Sequence, residues 1–140
     1  MILSHLNYLA VLVSTIAYFA VGALWFSVLF GKPWMHGHGI VMPDDATAKA
    51  QMQKEMPMLM IKTFLLCFVA TTGLAYMEAA CCSYNWMAGA KIGIVAGVFV
   101  FVAIAQSHMY TRKTLKLTVI DAGYHVVSLV IAGIILSVWR

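Results

Sequence analysis

The sequence predicts an all-α protein that crosses a membrane as a bundle of four helices. Three observations favour this fold class: 63% of the 140 residues are apolar, only 10% are charged, and the mean hydropathy is +0.90. A soluble domain has about 45–50% apolar and about 25% charged residues. The composition therefore argues against a water-soluble globule. It also excludes a disordered chain, which needs low hydrophobicity and high charge.

Four segments are long enough to cross the hydrocarbon layer, which is about 30 Å thick and takes about 20 apolar residues in a helix. The first segment carries no charge and ends at a glycine, a lysine and a proline, which stop a helix. The second and third carry ionisable residues near their ends, and the fourth carries an aspartate and a histidine within the span. In one transmembrane domain over residues 1–140, the predicted spans are 6–30, 58–80, 86–107 and 117–139.

The first connection, residues 31–57, is the one long polar stretch between the spans. Pro43 is followed by Asp44 and Asp45, a pattern typical of a helix start with one aspartate as the N-cap. Residues 46–56 are charged on one side and rich in methionine on the other, so they predict a short amphipathic segment between helices one and two. The segment lies either on the membrane surface or in a solvated loop, and the sequence leaves this choice open.

Lysine and arginine are distributed unequally between the two ends of the predicted bundle. The first and third connections with their adjoining helix ends carry seven, whereas the opposite end carries only Lys91 and Arg140. Because positively charged loops remain in the cytoplasm, we expect a multi-pass protein of the cell membrane with both termini outside. The charges lie between long apolar runs, so the expected partner is membrane lipid and not nucleic acid. The seven are Lys32, Lys49, Lys54, Lys62, Arg112, Lys113 and Lys116.

Gly89, Gly93 and Gly97 are spaced four apart in the third span, so they share one face of a helix. Lipid tails are as apolar as leucine, and helices in a bilayer therefore associate through close contacts that small residues allow. The pattern predicts a packing face, for which a contact within the chain is favoured over a contact between subunits. A bundle this small has little interior of its own, and we also expect a homo-oligomer.

Ionisable groups within a membrane cost about 3 kcal/mol or more at the centre of a helix, so each is a candidate for function. Glu78 and Lys91 lie near the outer ends of consecutive helices, where an ion pair is expected. Asp121 and His125 are four residues apart in the fourth span and share one face. A carboxylate beside a histidine can hold the imidazole ring in one tautomer and make it a better proton acceptor.

These residues predict a polar cluster in the cytoplasmic leaflet that binds a small molecule, a lipid headgroup or a proton. In this hypothesis Asp121 orients His125 and Trp25 forms a wall of the site, with His108 in the same half of the bilayer. A hydrogen-bonded packing network without a substrate is the alternative for the same residues. A second alternative is an accessory membrane subunit that assembles through the glycine face. The candidate ligand-binding residues are Trp25, Ser27, Lys62, Gln106, Asp121, Tyr124 and His125.

No catalytic residues, metal or cofactor are expected. His36 and His38 are compatible with part of a zinc or copper site, but such a site needs three or four ligands, and the neighbouring glycines favour a flexible turn. The sequence has no nucleophile elbow, no phosphate-binding glycine loop and no paired-carboxylate pattern, which disfavours an enzyme.

Several strings of the sequence resemble a family of small membrane proteins, the domain-of-unknown-function 1761 family. The strings are NYLAV at 7–11, GALWFS at 22–27, LFGKPW at 29–34 and IDAGYH at 120–125. The resemblance covers nearly the whole chain and implies an integral membrane protein of about this length, without implying an activity. The sequence differs from the family pattern at 26–28, where Phe-Ser-Val replaces Tyr-Ser-Pro and leaves a proline kink at the end of the first helix in doubt.

Overall fold

The computed structural model describes residues 6–82 and 85–139, and within these ranges it contains helices and no strand. Four helical segments are long and apolar enough to cross a membrane. The all-α bundle of four membrane-spanning helices that the sequence predicts is therefore confirmed. The helices are α1 (Tyr8–Leu24, continued by a π-helical turn over Trp25–Leu29), α2 (Gly31–His38), α3 (Ala46–Ala80), α4 (Trp86–Tyr110) and α5 (Leu115–Val138).

The first membrane-spanning segment ends in a π-helical turn. The amide of Phe30 donates to the carbonyl of Trp25 over 2.8 Å, which widens the last turn by one residue. Gly31 follows because a Cβ at this position would lie 2.7 Å from the carbonyl oxygen of Phe26. The segment therefore ends at this point without the proline of the family pattern.

A short helix, α2, replaces the flexible turn that we expected around His36 and His38. Both histidines lie in the last turn of α2. The helix ends at Gly39, which adopts a left-handed conformation with φ +68° and donates its amide to the carbonyl of His36 over 3.1 Å. Gly37 allows α2 to approach α5, since a Cβ there would lie 2.8 Å from a methyl group of Leu117. The expectation of a flexible turn is therefore wrong, because one glycine caps the helix and the other permits its packing.

The helix α3 is 35 residues long and includes the predicted amphipathic segment. Asp45 is its N-cap, and the carboxylate accepts the amide of Thr47 over 3.2 Å. Residues 46–56 are helical, but they continue through Pro57 into the membrane span and do not form a separate element. At 1.5 Å per residue the helix is about 52 Å long, which exceeds the thickness of the hydrocarbon layer.

The last helix, α5, is the centre of the bundle. In the most apolar stretch of α5, 44% of the residues are buried, against 17% of the residues in the corresponding stretch of α4. The other four helices all contact α5, and α4 packs mainly against α5 and makes little contact with α3. Consequently α3 and α4 are separated over much of their length.

The glycine face of α4 is covered by α5 of the same chain. Gly89, Gly93 and Gly97 are buried. A Cβ at Gly93 would lie 2.5 Å from the carbonyl oxygen of Leu129, and a Cβ at Gly97 would lie 3.0 Å from the Cα of Val126. The glycines thus allow the backbones of α4 and α5 to meet.

The ion pair expected between Glu78 and Lys91 is wrong, since no such pair is present within the described part of the chain. Glu78 is 1% exposed, and its Oε1 lies 3.2 Å from the position of a Cβ at Gly133. Lys91 is exposed. Because Gly89 and Gly93 face α5, a residue halfway between them points to the opposite side of α4. The two charged groups therefore face in different directions.

Candidate functional site

A cavity of about 520 Å³ lies between α1, α3, α4 and α5, at the end of the bundle where α2 packs. We call it the α2-end cavity. Its volume is within the range of about 300–1,000 Å³ that is typical of small-molecule sites. Apolar side chains from α3 and α4 form one side, including Leu66, Ala70 and Val100, whereas His38, Asp121 and others form a polar end. The cavity is therefore mainly apolar, with a few polar groups at one end.

Asp121 is the centre of a hydrogen-bond network at the polar end. Trp34 Nε1 donates to Asp121 Oδ1 over 2.8 Å. His38 Nε2 lies 2.9 Å from Oδ2, and His108 Nε2 lies 3.4 Å from the same oxygen. The carboxylate thus joins α2, α4 and α5.

The network continues from Asp121 to the start of α5. His108 Nδ1 lies 2.9 Å from Thr118 Oγ1, which also lies 3.2 Å from the carbonyl oxygen of Thr114. Because a hydroxyl can both donate and accept a hydrogen bond, Thr118 links the ring of His108 to the first turn of α5.

His125 has a different partner from the one that we expected. Its Nδ1 lies 2.7 Å from the hydroxyl of Tyr18 on α1. Within the described residues Nε2 makes no hydrogen bond, and the residue lines the α2-end cavity. The expectation that Asp121 orients His125 is therefore wrong: the carboxylate is bonded by groups from α2 and α4, and Tyr18 fixes the ring. His125 is left with one nitrogen for a ligand.

Trp25 anchors the end of the first segment on α5 and does not form a wall of the cavity. Its Nε1 donates to the carbonyl of Ile120 over 2.9 Å. The indole ring lies against Phe30, with 4.8 Å between ring centroids, and a Cβ at Gly123 would be 3.4 Å from its edge. On the α1 side the cavity is lined by Phe26 instead, together with Tyr18.

The structure brings only part of the predicted cluster together. Asp121, Tyr124 and His125 line the cavity. The predicted convergence fails for three other residues, whose side chains are exposed on the outside of the bundle. The hydroxyl of Ser27 donates to the carbonyl of Ala23 in its own helix. These three are Ser27, Lys62 and Gln106.

Several residues of the site were not predicted for this role. Trp34 and His38 are four apart on α2, a spacing that reveals their shared face only once the segment is known to be helical. Tyr18 and Cys67 come from the middle of their spans, and the hydroxyl of Tyr124 lies 3.8 Å from the sulfur of Cys67. Among the described residues no group of three or more His, Cys, Asp or Glu side chains is arranged to hold a metal ion.

The comparisons with known proteins give one family. The model of the family described as "Protein of unknown function (DUF1761)" matches residues 9–137. The chain belongs to this family. Neither a curated protein nor a solved structure matches it. The matched range includes all residues of the α2-end cavity, so the cavity belongs to the DUF1761 part of the chain, while the family name itself supplies no activity.

Proposed function

We propose that this DUF1761 protein binds an amphipathic small molecule in the α2-end cavity. The observation that carries the proposal is the division of the cavity into apolar walls and a polar end with an available imidazole nitrogen. Ligand sites are predominantly apolar, with a few polar groups that fix the orientation of the ligand. The apolar part of the molecule lies along α3 and α4, and its polar group bonds to His125.

The ligand enters from the side of the bundle, between α3 and α4. Leu66 lines the cavity and is nevertheless 70% exposed. The two helices make little contact with each other, so the gap between them opens towards the acyl chains. A molecule that dissolves in the bilayer reaches such an opening by lateral diffusion.

The polar group of the ligand is uncharged, such as the hydroxyl of a fatty alcohol or of a phenol. Asp121 already accepts a hydrogen bond from Trp34 and lies beside two histidines, so it does not offer a free carboxylate to a ligand. A charged ligand group would lose its hydration at this depth without a free opposite charge to replace it. A hydroxyl can donate to or accept from His125 in either tautomer of the ring.

Photocrosslinking tests this proposal. The protein in lipid nanodiscs is irradiated with a fatty alcohol that carries a diazirine, and the adducts are located by mass spectrometry. We expect adducts on cavity residues, competition by the unlabelled alcohol, and a loss of labelling in Ala70→Trp, because the indole fills the cavity. Val69→Trp is the matched control, since Val69 is next to Ala70 in the chain and is 68% exposed on the outside of α3. Labelling that is spread over the lipid-facing surface, or that Ala70→Trp leaves unchanged, contradicts the proposal.

We propose that the α2 end of the bundle faces the cytoplasm, because the excess of lysine and arginine lies there. Arg140, which was counted at the opposite end, lies outside the described residues. The accessory role would require a free glycine face, whereas α5 covers Gly89, Gly93 and Gly97. Self-association of the chain stays a prediction.

A further inference from the structure

Positive charge is concentrated where α4 is connected to α5. Residues 111–116 carry Arg112, Lys113 and Lys116 and no acidic residue, which gives a net charge of +3. The other polar stretch at this end of the bundle, residues 44–56, carries two lysines, two aspartates and one glutamate, a net charge of −1. We call residues 111–116 the basic loop. It is the part of the α2 end that attracts an anion most strongly.

Two cations of the basic loop have no compensating charge in the described part of the chain. Arg112 and Lys116 are exposed, and neither forms an ion pair within the described residues. Lys116 also lies in the first turn of α5, where the helix dipole disfavours a cation. Lys113 is half-buried, and its ammonium donates to the carbonyl of Gly37 over 3.5 Å, which fixes the loop against α2.

Large apolar side chains next to these cations are exposed as well. Met109 and Tyr110 precede the basic loop and are 79% and 83% exposed, and Leu115 within it is 77% exposed. Tyrosine is enriched where the hydrocarbon layer meets the lipid headgroups, and aliphatic side chains next to basic ones are typical of a surface that lies at this boundary. The basic loop therefore presents apolar groups and cations side by side.

We propose that the basic loop binds an anionic phospholipid. Arg112 and Lys116 bind the phosphate and the charged part of the headgroup, and the guanidinium can donate two parallel hydrogen bonds to phosphate oxygens. The acyl chains lie against Met109, Tyr110 and Leu115. A free phosphate ion would use the cations but not these apolar side chains, so the loop fits a lipid better than a dissolved anion.

The orientation of the chain in the membrane accounts for only part of this arrangement. Lysine and arginine keep a loop in the cytoplasm, and acidic residues contribute little to this rule. The rule therefore does not account for the absence of acidic residues from the basic loop, whereas residues 44–56 contain three. A site for an anion does account for it, because a nearby carboxylate would repel the phosphate. The next carboxylate along α5, that of Asp121, lines the α2-end cavity instead.

Native mass spectrometry of the purified protein in a neutral detergent tests the proposal. The protein is titrated with phosphatidylglycerol or with phosphatidylcholine of the same acyl chains, and the dissociation constant of the first bound lipid is measured. We expect phosphatidylglycerol, which is anionic, to bind more tightly. The double variant Arg112→Gly with Lys116→Gln should bind phosphatidylglycerol about 25-fold more weakly, or about fivefold for each cation, and phosphatidylcholine as the wild type does.

Glycine at position 112 removes the charge and suits the backbone. Arg112 has φ +53°, in the left-handed region that favours glycine. The turn also has the hydrogen bonds of the turn at Gly39, since the amide of Arg112 donates to the carbonyl of Met109 and the next amide to that of His108. If the double variant does not elute as the wild type does in size-exclusion chromatography, Arg112→Gly alone should weaken the binding of phosphatidylglycerol about fivefold.

Lys49→Gln with Lys54→Gln is the matched control, because it removes two exposed positive charges from α3 and none from the basic loop. Its affinity for phosphatidylglycerol should equal that of the wild type. Equal wild-type affinity for the two lipids overturns the proposal, and so does a folded Arg112→Gly variant with full affinity or an equal loss in the control. Displacement of phosphatidylglycerol by inorganic phosphate alone would also overturn it, in favour of a site for a dissolved anion.

The outcome is independent of the ligand proposed for the α2-end cavity. No residue of the basic loop lines that cavity. Ala70→Trp should abolish the crosslinking of the fatty alcohol and leave the affinity for phosphatidylglycerol unchanged, whereas Arg112→Gly should have the opposite effects. A failure of the ligand proposal is therefore distinguishable from a failure of the lipid proposal.

Discussion

Replacing Gly93 with alanine should destabilise the bundle, although alanine is the better helix former. A Cβ at Gly93 would lie 2.5 Å from the carbonyl oxygen of Leu129, where ordinary contact begins at 3.4 Å, a shortfall of about 0.9 Å. Both groups that collide belong to helix backbones, so neither can turn aside as a flexible side chain would. The helices α4 and α5 must move apart, and α4 then loses part of its principal contact in the protein.

The size of the effect follows from two opposing terms. Alanine in place of glycine in a helix interior gains about 1 kcal/mol. Overpacking a tight contact costs about 1–3 kcal/mol, and a gap of 0.5–1 Å between packed groups loses about a quarter to a half of their dispersion energy. Gly73→Ala in α3 isolates the first term, because no heavy atom lies within 4 Å of a Cβ at that position. We expect Gly93→Ala to be about 1–3 kcal/mol less stable than Gly73→Ala.

Reversible unfolding in mixed micelles with increasing sodium dodecyl sulfate, followed by circular dichroism, measures both free energies of unfolding. The three glycines of the packing face should also form a series. Gly97→Ala should be the mildest, because its Cβ would lie 3.0 Å from the Cα of Val126. Gly89→Ala should be the most severe, because its Cβ would overlap with the carbonyl oxygen of Gly133 and with the side chain of Ser137 on α5. Equal stability of Gly93→Ala and Gly73→Ala would refute the interpretation of α4 and α5 as helices in backbone contact.

Three further predictions concern other parts of the chain. Trp34→Phe keeps an aromatic ring at this position but removes the donor to Asp121, and should lower stability by about 1.5–3 kcal/mol, with faster hydrogen exchange in α2 as the measurement. Pro57→Ala should restore a helical hydrogen bond in α3 and slow amide exchange around that position; unchanged exchange would show that the proline is already accommodated without loss. Cys81 and Cys82 are exposed at the end opposite to α2, so a membrane-impermeant maleimide should label them from outside intact cells, and labelling only after lysis would reverse the proposed orientation.

The candidate site could be predicted in part because some of its residues are anomalous in their own helix. Asp121 and His125 interrupt an apolar span, and this anomaly is visible in the sequence without knowledge of any neighbour. Ser27 and Lys62 also interrupt apolar spans, but their side chains face outward in the structure. Whether a polar residue faces the interior depends on the rotation of its helix against the others, and that rotation is set by packing that no single helix contains.

Trp34 and His38 were missed because local preferences conceal α2. Gly31, Pro33 and Gly37 give this segment a low helix propensity, so the sequence indicates a turn. The contacts that stabilise the helix come from elsewhere in the chain: Asp121 accepts hydrogen bonds from α2 side chains. Tertiary contacts therefore outweigh local propensity here.

The sequence by itself determined the four apolar spans, the helix start at one of two aspartates before α3 and the glycine face of α4, because hydropathy, capping and helical spacing are properties of neighbouring residues. Only the tertiary structure decided that α5 is central, that Tyr18 and not Asp121 holds His125, and that a cavity lies beside His125 between α1, α3, α4 and α5. These features depend on which faces of distant helices come together. Packing between helices decides this, and it involves residues that are far apart in the chain.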